Sequence, residues 1–143
     1  MIRAAIALLA LLATTSLCAA DATVETVRRW GLLGLWAVDC SPAPGSPSPN
    51  PVSYEINPEG RLVYINGYAT SDVVGAAANP DGSLTLTVHF LRPKDDIRTL
   101  VLQKSGETIR PMLNRNAQNE YTIRDGAFVA NGKQTSSLNK CGG

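Results

Sequence analysis

The clearest periodic signal in the chain lies in residues 83–91, where Leu84, Leu86, Val88 and Phe90 alternate with Ser83, Thr85, Thr87 and His89. A period of two predicts a half-buried strand with its apolar set facing the core. The same period runs through residues 35–40, with Trp36, Val38 and Cys40 on one side, and through residues 52–57, with Val52, Tyr54 and Ile56 on one side. Further strands are expected at residues 61–68, 72–77, 97–104, 108–114, 120–124 and 127–130. Pro111 makes its strand an edge or a bulged one, because proline has no N–H to give to a ladder. The turns between them read Asn57-Pro58-Glu59-Gly60, Asn79-Pro80-Asp81-Gly82, a polar turn over residues 92–96, Ser105-Gly106 and Asp125-Gly126. The last of these is a strong hairpin signal. Residues 131–143 read as a polar tail held only by Cys141.

Two stretches break the pattern. In residues 23–33, Val24, Val27 and Trp30 recur at three-residue spacing, with Glu25 early and Arg28 and Arg29 late. This predicts a short docked helix, capped by Asp21 or Thr23 and ended by Gly34. Residues 41–51 hold five of the nine prolines and are expected as an extended surface loop.

The first 22 residues read as a cleavable leader. Arg3 precedes an uncharged apolar run over residues 4–13, too short to span a bilayer, and small residues follow at Ala19, Ala20 and Ala22. Cleavage after Ala20 or Ala22 leaves residues 23–143 as essentially one domain in the periplasm or outside the cell. The alternatives are an uncleaved anchor, or lipidation at Cys18, which follows Leu17 rather than a small residue. With Cys18 removed, Cys40 and Cys141 remain. Two cysteines in an oxidising compartment read as one disulfide rather than two buried thiols.

At 143 residues the chain is expected to hold a single core. So many short strands with short turns indicate an all-β antiparallel sheet, and a sheet this wide must curl, close or split. A Cys40–Cys141 bridge brings the first and last strands together, as barrel closure requires. The expected fold is therefore a small up-and-down barrel of about eight strands, plugged by the helix. A two-sheet sandwich is the alternative.

Lysine and arginine total 13 against 12 acidic residues, and no basic stripe appears, so neither nucleic acid nor a stably inserted membrane segment is expected as a partner. His89 is the only histidine, which excludes two-histidine zinc motifs, and alternation places it on an outer strand face. There is no nucleophile elbow, no phosphate loop and no dinucleotide fingerprint. No catalytic residue, metal or cofactor is expected. Asp39, Glu55, Asp72 and Glu120 form a glycosidase pair only if two of them face across a cleft. Lys94-Asp95-Asp96 reads as a charged turn, without the spaced ligands of a calcium loop. Trp36, Tyr54, Tyr64 and Phe90 either line a pocket for an apolar ligand or simply fill the core. Trp30 and Tyr68 are alternatives for an exposed contact.

The helix followed by Gly34-Leu35-Trp36 resembles the Gly-x-Trp opening of lipocalins and their calycin relatives. That resemblance implies a barrel end closed by Trp36 and a packing partner on the last strand, for which Arg124 in Tyr121-Thr122-Ile123-Arg124 is the nominee. More of the chain resembles a family of uncharacterised small exported bacterial proteins. These pair an early Gly-x-Trp-x-x-Asp-Cys, here residues 34–40, with Asp-Gly, Asn-Gly-Lys and Lys-Cys late in the chain, here at 125–126, 131–133 and 140–141. The family implies an envelope setting and the same disulfide, and brings no activity. The expectation is an exported non-enzymatic binder of a small apolar ligand, with an envelope protein-binding module or inhibitor acting through residues 41–51 as the alternative.

Overall fold

The computed structural model describes residues 14–142, with side chains from Ala19 onward. The leader's Arg3, its apolar run over residues 4–13 and the Cys18 side chain lie outside the described residues.

Ten strands follow one helix. They are α1 (Thr14–Trp30), β1 (Gly34–Ala37), β2 (Val52–Ile56), β3 (Leu62–Asn66), β4 (Ala69–Ala78), β5 (Leu84–Phe90), β6 (Asp96–Ser105), β7 (Thr108–Asn116), β8 (Tyr121–Arg124), β9 (Ala127–Phe128) and β10 (Leu138–Cys141). Each strand from β1 to β8 pairs antiparallel with the next. β10 pairs with β1 on one side and with β7 on the other, so β1–β7 and β10 form a closed eight-stranded barrel. This is the barrel expected from the sequence, and the sandwich alternative is excluded. β8 and β9 continue outward from β7.

The closing strand departs from expectation. Residues 138–141 read as part of a polar tail, yet they form β10, with Trp36 opposite Lys140 and Leu138 opposite Ile109. The Cys40–Cys141 disulfide fastens this strand to the end of β1, with the two Cα atoms 5.5 Å apart. β7 divides one edge between two partners: Thr108 and Ile109 pair with β10, and Asn114 and Arg115 pair with β8. Pro111 sits in the stretch between, where no strand asks for its missing N–H. Opposite it the β6–β7 register shifts between Val101 and Leu102, which is the expected bulge.

The core is the inner face of the strands. Leu84, Leu86 and Val88 are fully buried, while Thr85, Thr87 and His89 between them remain partly exposed. Two hairpins turn on the same Asn-Pro-x-Gly sequence, with the glycine N–H donating to the asparagine carbonyl at 2.9 Å for Gly60 and 3.0 Å for Gly82. In the second turn the Ser83 hydroxyl and N–H both donate to Asp81 and hold its carboxyl below the usual carboxylate range.

α1 is already formed at Thr14, well before Thr23, and continues through the helix-favouring Ala19-Ala20-Asp21-Ala22. Thr23 is therefore inside the helix, and its hydroxyl donates back to the Ala19 carbonyl at 3.0 Å instead of capping. The helix ends at Gly31 rather than Gly34. Gly31 has φ +85°, and the Leu32 N–H reaches the Val27 carbonyl at 3.0 Å, the hydrogen-bond pattern of a Schellman end. α1 packs on β4, which finishes in Gly75-Ala76-Ala77-Ala78, side chains small enough to admit a helix closely. Lys104 from β6 donates to the Trp30 carbonyl at 2.8 Å and Lys140 from β10 to the Gly31 carbonyl at 3.3 Å. Two cations thus meet the negative end of the helix dipole. The helix end is thereby fixed to the end of the barrel where β4, β6 and β10 finish. The described helix is not long and apolar enough to cross a membrane.

Candidate functional site

Cross-strand pairing sets the aromatic residues in order. Tyr54 on β2 lies directly opposite Tyr64 on β3, with ring centroids 5.2 Å apart, and Tyr64 meets the Phe90 ring edge-on at 6.1 Å. Tyr54 is buried, and Tyr64 and Phe90 are half-buried.

Between the tyrosines and the opposite wall lies a partly enclosed cavity of ≈ 110 Å³. Tyr54 and Tyr64 form one side, Leu100 and Leu102 from β6 face them, and Leu138 from β10 and Ile123 from β8 complete the wall. Asn114 adds a polar group to the lining. Burial pushes both hydroxyls above their ordinary range, and the neighbouring Tyr64 adds to the effect at Tyr54. At neutral pH the cavity therefore presents neutral hydroxyls on an apolar lining.

Trp36 and Phe90 do not line this cavity. Trp36 is 1% exposed, and its Nε1 donates to the Leu32 carbonyl at 2.7 Å. It is a core group that ties β1 to the segment leaving the helix. The expected Trp36–Arg124 pair is not formed. The cation over the Trp36 ring is Lys140, at 5.4 Å. Arg124 lies on β8, exposed, with its guanidinium 5.0 Å over Tyr121. The reason is topological: β10 rather than β8 is the neighbour of β1.

At the opposite end from the helix, the inner face turns polar. Arg98 on β6 pairs with Val88, whose side chain is wholly buried, so Arg98 also faces inward. Its Nε donates to Asn114 Oδ1 at 2.5 Å and its Nη1 to Asp96 Oδ2 at 2.8 Å. Arg98 falls within the strand expected at residues 97–104, but a charged side chain there carries no apolar signal for an inward face. Placing Arg98 on the Leu100 and Leu102 face by period two was the signal available.

The carboxylates considered for hydrolysis occupy separate places. Asp72 accepts from Arg61 at 3.4 Å on the outer face, Glu55 is exposed in the same cross-strand row, Asp39 accepts from the Ser41 N–H, and Glu120 bonds Asn116 in the β7–β8 turn. His89 Nε2 lies 2.9 Å from Asp95 Oδ1, on the outside of β5. Among the described residues no group of three or more His, Cys, Asp or Glu side chains is arranged to hold a metal. Tyr68 stands fully exposed at the β3–β4 tip, beside an open hollow shared with Leu35, Pro51 and Ile65. Residues 41–51 are exposed but for Ser48. No family model, curated protein or solved structure gives a match to this chain.

Proposed function

We propose that this chain is an exported, non-enzymatic, lipocalin-like barrel that binds a small apolar molecule in the cavity between the tyrosine pair and β6. The observation that carries the reading is the cavity itself. A small barrel ordinarily fills its interior with side chains, and an unfilled space of ≈ 110 Å³ forfeits packing. It approaches the ~150 Å³ that accommodates a benzene ring in an apolar cavity. The periplasmic or secreted setting is supported by the leader pattern and by the disulfide. The lipocalin-like reading is supported by a cation from the closing strand over the Trp36 ring.

The test is calorimetric titration with hexanol, alongside native mass spectrometry of protein taken from its own host. Saturable hexanol binding that is lost in Leu100→Phe, which places a bulkier side chain on the inward-facing cavity wall, supports the reading. A bare mass together with no hexanol binding overturns it.

A second reading is favoured by a different observation: the end of the exposed proline loop, Asn50 and Pro51, lines the Tyr68 hollow and offers an apolar edge for an envelope protein. Pull-downs from host envelope extract with and without residues 43–49, and with Tyr68→Ser, separate the two. An unchanged set of partners removes the loop and Tyr68 from consideration.

A further inference from the structure

We propose that the ligand carries a carboxylate at one end, held by Arg98 at the polar end of the barrel, with its apolar body in the tyrosine-lined cavity. This rests on the cavity reading above and adds the chemical class of the ligand. An arginine facing into a barrel is costly to desolvate unless its charge and donors are matched. Arg98 is only 17% exposed as a side chain. Its planar fork offers five N–H donors. Two are engaged, by Asn114 and Asp96, while Nη2 bonds no other described residue and is not closed off from solvent, so it is open to an incoming group. Asn114 itself lines the cavity, so the fork lies one hydrogen bond from the apolar space. A carboxylate is the group that matches two adjacent guanidinium N–H donors. Asp96, 22% exposed and facing inward opposite Phe90, balances the charge of Arg98 in the empty barrel. A ligand carboxylate would share the fork with it. A structural role for the Arg98–Asp96–Asn114 network predicts no difference between an acid and an alcohol of equal length.

The experiment is titration of the intact protein with hexanoate and with hexanol. Wild-type protein is expected to bind hexanoate more tightly. Arg98→Met is expected to weaken hexanoate by about tenfold to a hundredfold, the range for losing a charged hydrogen bond, while leaving hexanol unchanged. Asp96→Asn, which removes the competing carboxylate, is expected to tighten hexanoate and leave hexanol unchanged. Hexanol binding without a preference for hexanoate, or hexanoate binding insensitive to both substitutions, overturns the carboxylate assignment and leaves the cavity reading standing. Failure of both compounds overturns both. If Arg98→Met does not fold, the direction of the Asp96→Asn change decides.

Discussion

Gly126 has φ +72° and no room for a side chain: a Cβ there would lie 2.7 Å from Arg110 Nη2 and 3.1 Å from the Met112 thioether. Arg110 fills that space because it ties the turn to the barrel wall, donating to the Gly126 carbonyl, to Thr135 Oγ1 and to Gln134. Gly82 shares the backbone conformation, at φ +86°, but has nothing within 4 Å. Gly82→Ala is therefore expected to cost about 1 kcal/mol, and Gly126→Ala about 2–3 kcal/mol, in urea denaturation. The two variants separate backbone strain from crowding. Trp36→Phe leaves the buried Leu32 carbonyl without its donor and is expected to cost about 1–3 kcal/mol. A double-mutant cycle with Lys140→Met is expected to show coupling of about 0.5–2 kcal/mol, the range for a cation over an aromatic face. Trp36 itself was legible from its position in Gly-x-Trp and in an alternating strand. Its partner was not, because Lys140 sits in a stretch with no apolar period.

That failure belongs to the strand as a unit. β5 could be read directly, since four inward apolar residues alternate with three polar ones. β10 consists of Leu138-Asn139-Lys140-Cys141, and only Leu138 carries an aliphatic side chain toward the cavity. It is held by backbone pairing to β1 and β7 and by a covalent tie, none of which leaves a hydropathy pattern. The bridge closes a loop of 101 residues. Chain-entropy arguments assign such a loop about 4–5 kcal/mol. Replacing Cys40 and Cys141 by serine is expected to lower stability by up to that amount. Hydrogen exchange is expected to quicken first at residues 138–141 and at their partners in β1. Equal protection of β10 in the bridged and unbridged proteins would contradict this account. The helix boundaries were missed for a different reason: alanine-rich residues 19–22 favour helix, yet carry no stripe to reveal it.

Seen whole, the barrel has one end fixed to a helix terminus and an interior that keeps two tyrosines protonated. Burial raises both tyrosines above their ordinary value of 10.0. In the unfolded chain they lose protons near pH 10 while the folded barrel retains them, so the unfolded state binds fewer protons there and stability falls as pH rises beyond that point. Urea midpoints are expected to decline above about pH 10, and less steeply in Tyr54→Phe. A flat profile would place both hydroxyls in water. The cavity was only half legible. Tyr54 announced itself by alternation and Tyr64 as an aromatic residue in an expected strand, whereas Leu100, Leu138 and Ile123 face them only because the sheet rolls up. Rolling also fixes an order of events. The staple of the cylinder is its final segment, placed between the first and seventh strands. A chain that has formed only β1–β7 holds an unclosed sheet until residues 138–141 pair with β1 and β7. Until then no enclosed interior exists to be filled.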